Sequence, residues 1–226
     1  ESHGGVEFLR LAQTRVTELE KANWESKNLK ARRAALSKSS ALPIEPDWLM
    51  LSIVDTLEEG GIIVNESLTS SRALPDLLPY VDRYSFHGNA SGGIGWGLPA
   101  AVGVKLAHPD RPVTCLSGDG SAMYSIQALW TAAHLNLPIT FVITNNRSYR
   151  ILKQRLLGFH KNERYIGMDF DNPKIDFSGI ARSLGVAAET ISNPDEVRPA
   201  LNAASQRSGP TLIDVIVESN VKAMSK

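Results

Sequence analysis

Asp119 stands between Gly118 and Gly120, and 26 positions later the chain reads Asn145-Asn146-Arg147-Ser148-Tyr149. Carboxylate and amide oxygens are hard donors, the kind magnesium takes in an octahedral array that is completed by water and phosphate oxygens. A carboxylate from Asp119, an amide oxygen from Asn146 and a backbone carbonyl near Ser148 would leave room for two phosphate oxygens and a water. The glycines beside Asp119 permit a tight turn and close backbone approach. Ser121 falls where a helix would begin, so backbone N–H groups and the helix dipole would favour an anion there. The pattern points to a magnesium ion that in turn holds a diphosphate. The alternative is that Asp119 only caps a helix and Asn145-Asn146 only makes a turn. Gly-Asp-Gly alone would leave that alternative standing; the second cluster at the next strand end favours the ion.

That chemistry needs two neighbouring strand ends. Val113–Leu116 and Ile139–Thr144 are apolar, strand-like runs, and Ser125–Asn136 between them reads as a helix. Ile126, Leu129, Trp130, Ala133 and Leu137 recur at helical spacing, which predicts one apolar face packed on a sheet. Such a crossover returns the chain to a parallel neighbour and sets Asp119 and Asn146 side by side at carboxyl ends, where open α/β sheets bind ligands.

The remaining pattern repeats this unit. Pro46 suits a first helical turn, with Trp48, Leu49, Leu51, Ile53, Val54 and Leu57 as the apolar face. Gly60-Gly61 stop that helix, and Ile62–Val64 form a short strand ending in Asn65-Glu66-Ser67. Residues 72–79 read as a short helix, 85–97 as a glycine-rich loop, and 98–107 as a small-residue helix. Helices are expected at 149–157, 176–184 and 194–206, strands at 186–191 and 211–217, and a mobile loop at 158–175. The fold class is α/β: a parallel sheet of about five to six strands with helices on both faces. Residues 6–38 read as a solvated helix or connector, amphipathic through Val6, Leu9, Val16 and Leu19, with Lys30, Arg32 and Arg33 on a solvated face. Residues 37–46 read as a linker, which gives a connector at 1–45 and a domain at 46–226.

Bulk properties exclude several classes. The formal charge is zero, with eight Lys/Arg against five Asp/Glu in residues 1–40, so nucleic-acid and membrane surfaces are not expected. No apolar run approaches a membrane span and no signal peptide opens the chain. The single cysteine, Cys115, lies in a strand-like run and reads as a small buried hydrophobe; it fits a reducing, cytoplasmic setting.

The segment GDGSAMYSIQALWTAAHLNLPITFVITNN resembles the signature of thiamine-diphosphate-dependent enzymes, and GGIGWGLPAAVGVKLAHPDRPV before it is similar to the same region of that family. The resemblance runs from about Pro46 to Val217 and is closest to the benzoylformate decarboxylase and acetolactate synthase group. It implies a pyrophosphate-binding (PP) domain, with thiamine diphosphate and Mg2+ as cofactors. Asp119 and Asn146 would bind the metal by side chain and Ser148 by its carbonyl. Gly120, Ser121, Tyr124 and Tyr149 would lie against the diphosphate, with Ser67 in reach. Gly92 would offer a carbonyl to the aminopyrimidine, and Ile94 would be the aliphatic residue over which the cofactor bends. Two positions depart from the family, which often has glycine where this chain has Arg147 and Arg150. Those arginines would either contact the diphosphate or reach solvent, and Ile151 and Leu152 would help shape the substrate pocket.

His87, in the loop before Gly92, is a candidate for proton transfer or a structural loop histidine. His3, His108, His134 and His160 lack metal-like spacing. The resemblance also implies a glutamate on a separate pyrimidine-binding (PYR) domain, and Glu66 does not match its position. The expectation is a C-terminal fragment of a 2-oxo acid decarboxylase or carboligase, inactive without a PYR domain of the same or another subunit and forming a homo-oligomer. A natural PP subunit, a non-catalytic assembly subunit and a dinucleotide-binding domain are the other readings. The last lacks G-x-G-x-x-G directly after its first strand.

Overall fold

Hydrophobic residues alternate between two faces of every central strand, and that alternation places the helices. The computed structural model describes residues 3–221, with side chains from Thr17 onward except Leu19. In chain order the elements are α1 (His3–Leu36), α2 (Pro46–Thr56), β1 (Ile62–Glu66), α3 (Leu74–Leu77), β2 (Phe86–Gly88), α4 (Gly97–Ala107), β3 (Val113–Gly118), α5 (Asp119–Ala122), α6 (Ala128–His134), β4 (Ile139–Asn145), α7 (Arg150–His160), α8 (Phe177–Ser183), β5 (Ala187–Ile191), a 3-10 turn (Pro194–Glu196), α9 (Val197–Ser205) and β6 (Thr211–Ile216). The six strands form one parallel sheet in the order β2-β1-β3-β4-β6-β5.

Ile63, Leu116, Val142, Ile213 and Val215 point into one core, shared with α2, α3 and α9. Ile62, Val64, Cys115, Phe141, Ile143 and Leu212 point into the other, under α4, α6 and α8. A two-residue period sends successive side chains to opposite faces, so a strand covered on both sides must be apolar throughout. Cys115 is buried in the second core, where desolvation pushes its thiol up.

The chain steps from β1 outward to β2 and then back across β1 to β3. The direction of winding reverses there, and a crevice opens at the carboxyl ends of β1 and β3.

Several expectations need correction. The glycine-rich stretch does not begin as a loop, because Phe86–Gly88 adds an edge strand beside β1, paired Ile63 to Phe86. The helix expected at 125–136 is shorter and is preceded by an unanticipated turn of helix: α5 ends at Ala122, turns follow, and α6 spans Ala128–His134. Leu129 and Ala132 are the buried residues of α6, while Trp130 is 55% exposed and stacks on His134 at 4.9 Å. Helical spacing alone did not reveal that the axis restarts after the site turn. The segment 158–175 completes α7 and then folds back on it, with Tyr149 N donating to the Met168 carbonyl and Phe170 N to that of Arg147, both at 2.9 Å. Lys153 is ion-paired with Asp169 across this return.

Lys30 and Arg33 are exposed, and Arg32, partly exposed beside them, is engaged in an ion pair. Arg32 and Arg198 both pair with Asp55, which joins α1, α2 and α9. Ile44, within the 37–46 segment, is fully buried and bridges to Val217. The apolar stripe of Val6, Leu9, Val16 and Leu19, and the placement of the His3 side chain, lie outside the described residues. No helix among the described residues is long and apolar enough to cross a membrane.

Candidate functional site

Gly118 ends β3 and caps α5, so Asp119 is the first residue of a helix and its carboxylate sits among free backbone N–H groups. One oxygen accepts from Gly120 N at 2.8 Å. The other accepts from Ser148 N at 3.2 Å and ties the end of β3 to the turn after β4. Asp119 is only 2% exposed. Burial pushes its carboxyl up to about 6, against the opposing pull of N–H groups from Gly120, Ser148 and Arg147 and the charge of Arg150.

Parallel pairing of β3 with β4 matches Gly118 to Thr144, so Asn146 arrives beside Asp119. Its Oδ1 accepts from Ser148 Oγ at 3.0 Å. The Ser148 carbonyl accepts from Arg150 N at 2.8 Å, with Tyr149 at φ −72 and ψ 60, an inverse γ-turn. A carbonyl has two lone pairs, and that bond uses one. The carboxylate at the end of β3 is thus tied to the buried turn after β4 that carries the amide oxygen of Asn146 and the carbonyl of Ser148. The donor set is all oxygen and fits a small hard cation. No group of three or more His, Cys, Asp or Glu that could hold a metal ion occurs among the described residues, so the candidate set here rests on one carboxylate with neutral oxygens.

The adjacent residue goes elsewhere. Asn145 Nδ2 donates to Asp214 Oδ1 at 2.9 Å, and its Oδ1 accepts from Arg147 N at 3.1 Å. Arg147 follows at φ 57, a left-handed conformation that glycine adopts without steric penalty. Of the two glycines around Asp119, only Gly120 is tightly enclosed. A Cβ there would lie 2.7 Å from the Tyr149 ring, whereas one on Gly118 would meet nothing closer than 3.9 Å.

The third wall follows β1. Glu66 is buried, and its carboxylate accepts from Gly95 N (2.7 Å), Trp96 N (3.1 Å) and Gly97 N (2.6 Å). Both oxygens are therefore engaged in capping α4 and anchoring the loop that carries Ile94. Ser67 is buried, and its hydroxyl bonds Thr144 Oγ1 at 2.6 Å, joining the ends of β1 and β4.

These turns enclose a cavity of about 230 Å³. Asp119, Gly120, Ser121, Tyr124, Asn146, Ser148 and Tyr149 line it, with Ser67 and Ile94. Of the expected site residues, Gly92 and His87 are not in its wall. Gly92 is exposed at φ 76 with open space around its Cα. His87 lies on β2, its Nε2 buried without a partner, and desolvation lowers its pKa, with His108 and Arg111 as its charged neighbours. Leu68 and Thr69 also line the cavity and were not anticipated; their position just past the end of β1, on the carboxyl edge, was the available signal. Arg150 is 5% exposed and does not reach solvent.

Residues 71–215 match the family described as thiamine pyrophosphate enzyme, C-terminal TPP binding domain. Over 170 residues, the chain is 42% identical to a Mycobacterium tuberculosis protein bearing the name of an acetolactate synthase large subunit, IlvX. The match covers 73% of this chain and 33% of that one. Benzoylformate decarboxylase of Pseudomonas aeruginosa is 37% identical over 174 residues, 76% of this chain and 32% of its own. Among solved structures, the thiamine diphosphate-dependent 4-hydroxybenzoylformate decarboxylase of Rhodococcus jostii RHA1 superposes with a TM-score of 0.76 at 35% identity, covering 80% of this chain and 34% of that one. The chain spans about a third of the length of these relatives.

Proposed function

The chain belongs to the family of C-terminal TPP binding domains of thiamine pyrophosphate enzymes, and from that premise we propose that its cavity holds the diphosphate of the cofactor through a magnesium ion. Asp119 and Asn146 bind the ion by side-chain oxygens and Ser148 by its carbonyl. The observation that carries this is the joining of Asp119 to Ser148 and of Ser148 to Asn146, which gathers three hard donors from two strand ends. Ser121 presents its backbone N–H to the phosphates, and Gly120, whose own N–H is bonded to Asp119, lets them approach the turn closely. Tyr124 and Tyr149 flank the anion, and Ser67 fixes the wall behind it through its bond to Thr144. Ile94, on the loop that Glu66 anchors, is the aliphatic prop for the cofactor, and the exposed backbone of Gly92 faces the aminopyrimidine.

Thiamine diphosphate, when bound, supplies the carbon nucleophile and electron sink for breaking or making the bond beside the carbonyl of a 2-oxo acid. This chain binds and orients the phosphate end. Glu66 is committed to three backbone donors, and His87 stands outside the cavity, so the proton-handling glutamate comes from a PYR domain. Leu68, Ile94, Met123, Tyr124 and Leu152 leave 37–59% of their surface exposed. Apolar surface of that extent beside a binding site suits a docked domain. The parent protein is a 2-oxo acid decarboxylase of benzoylformate decarboxylase type, assembled as an oligomer. The acetolactate synthase name of one relative favours a carboligase as the second reading. The products formed by the assembled protein from a 2-oxo acid, an aldehyde or an acyloin-type acid, decide between the two.

Calorimetric titration with thiamine diphosphate and Mg2+ tests the core of the reading. Affinity is expected to fall at least about a hundredfold in Asp119→Ala, as befits loss of a charged metal ligand. Equal heats in both proteins would overturn it.

A further inference from the structure

Arg150 is a buried cation whose close partners are all neutral. Its Nε donates to Thr69 Oγ1 at 3.0 Å, Nη2 to Ser70 Oγ at 2.7 Å and Nη1 to the Glu218 carbonyl at 2.6 Å. The one ion-pair contact among the described residues is loose, Glu218 Oε2 at 3.9 Å, on a side chain 19% exposed. A guanidinium carries five N–H donors, and these bonds engage three of them. Taking a cation out of water without a close counter-ion is costly, and the longer-range attraction of Glu218 and Asp119 works against that cost without a tight ion pair. Three segments nonetheless converge to hold it: the turn after β1, the first residue of α7 and the stretch after β6. All the other polar groups that line the cavity are neutral or acidic, so Arg150 is its sole fixed positive charge among the described residues.

We infer that Arg150 is a specificity-determining residue that holds a phosphate oxygen of the diphosphate. This rests on the diphosphate reading above and adds to it a charge that the family pattern, with glycine at this position, does not supply. The clamp of Thr69, Ser70 and the Glu218 carbonyl sets the guanidinium in place before the ligand arrives, so little side-chain freedom is lost on binding. The neutral acceptors leave the charge for an anion in the cavity rather than cancelling it.

The probe is inorganic pyrophosphate with Mg2+, titrated calorimetrically into the 226-residue chain, with folding followed by circular dichroism. Charge-assisted hydrogen bonds of this kind correspond to an affinity loss of about tenfold to a hundredfold in Arg150→Gln. Arg150→Lys keeps the charge but cannot make the three-way clamp, and is expected to lose less than about a third of that effect on a logarithmic scale. Equal losses in both variants would make Arg150 a strut only and overturn the inference, as would unchanged affinity in Arg150→Gln. If Arg150→Gln does not fold, Glu218→Gln decides, because it removes the loose counter-charge and leaves the carbonyl. Tighter pyrophosphate binding, by roughly twofold to fivefold at low salt, supports the inference, and unchanged binding overturns it. A loss seen with benzoylformate and absent with pyrophosphate would assign Arg150 to a substrate carboxylate and overturn the phosphate role. Affinity lost in Asp119→Ala and retained in Arg150→Gln defeats this inference alone. A wild-type chain that does not bind Mg2+-pyrophosphate defeats the diphosphate reading together with it.

Discussion

Two buried aspartates stand at the carboxyl edge of the same sheet, and both carboxyls are pushed up to about 6 by burial. Asp119, after β3, is held by backbone N–H groups and faces the larger cavity beside Asn146 and Ser148. Asp214, within β6, accepts from Asn145 Nδ2 at 2.9 Å and Thr190 Oγ1 at 3.5 Å. It borders a smaller cavity of about 160 Å³ with Arg147, Lys174 and Asp176. The same perturbation therefore serves two ends. Side-chain donors satisfy Asp214 and make it a structural pin, while Asp119 is steadied from behind and keeps its face toward a ligand space. A raised carboxyl in a cleft is a pointer to function only together with what surrounds it.

The neighbouring asparagines inherit this division, and separating them is the strongest test. Asn146→Ala is expected to lower affinity for thiamine diphosphate with Mg2+ about tenfold to a hundredfold, read by calorimetry, with little change in urea stability. Asn145→Ala should instead cost about 1–3 kcal/mol of stability by leaving Asp214 without its best donor, and affinity of the folded protein should stay close to wild type. Reversed outcomes would dissolve the distinction between the two cavities.

Gly120→Ala sharpens the comparison from the steric side. Its Cβ would meet the Tyr149 ring at 2.7 Å, so a loss of about 1–3 kcal/mol in denaturant titration is expected. Gly118→Ala, with no atom closer than 3.9 Å, should cost less than Gly120→Ala; equal costs would mean the Tyr149 contact does not matter.

The last effect is in pH. Both carboxyls have folded-state pKa values above the ordinary 3.8, so the folded chain holds those protons more tightly than the unfolded one. Their contribution to stability is present below about pH 4 and lost as pH rises through about 6, by about 3 kcal/mol for each group. Asp214→Asn should flatten its share of that slope in urea titrations from pH 4 to 7 and leave cofactor binding near wild type. Cofactor and metal binding should tighten across the same window in wild type and Asp214→Asn alike, because Asp119 must lose its proton to hold a cation. A binding profile altered by Asp214→Asn would show that the pin is not independent of the site.

Much of this site was legible before the fold was known. Gly-Asp-Gly and Asn-Asn carry their own local geometry, and the strand-crossover-strand pattern between them makes their convergence a matter of topology. What could not be read was which neighbour each polar group would choose. Glu66 read only as a strand-end carboxylate that does not match the position of the PYR-domain glutamate, and the return of residues 95–97 is what engages it. Nothing at short range distinguished Asn145 from Asn146, since one is claimed by Asp214 at a separation of 69 residues. Arg147 and Arg150 read alike as departures, yet one adopts a left-handed turn and the other is buried in the cavity wall.

The sequence by itself determined the parallel α/β architecture, the strand ends that meet, and the oxygen donors placed there, because hydrophobic period, turn chemistry and ligand type are properties of short segments. Tertiary structure decided the edge strand β2, the break between α5 and α6, the split of the asparagine pair and the burial of Arg150. Those depend on long-range partners, whose hydrogen bonds and steric limits exist only once distant segments are packed together.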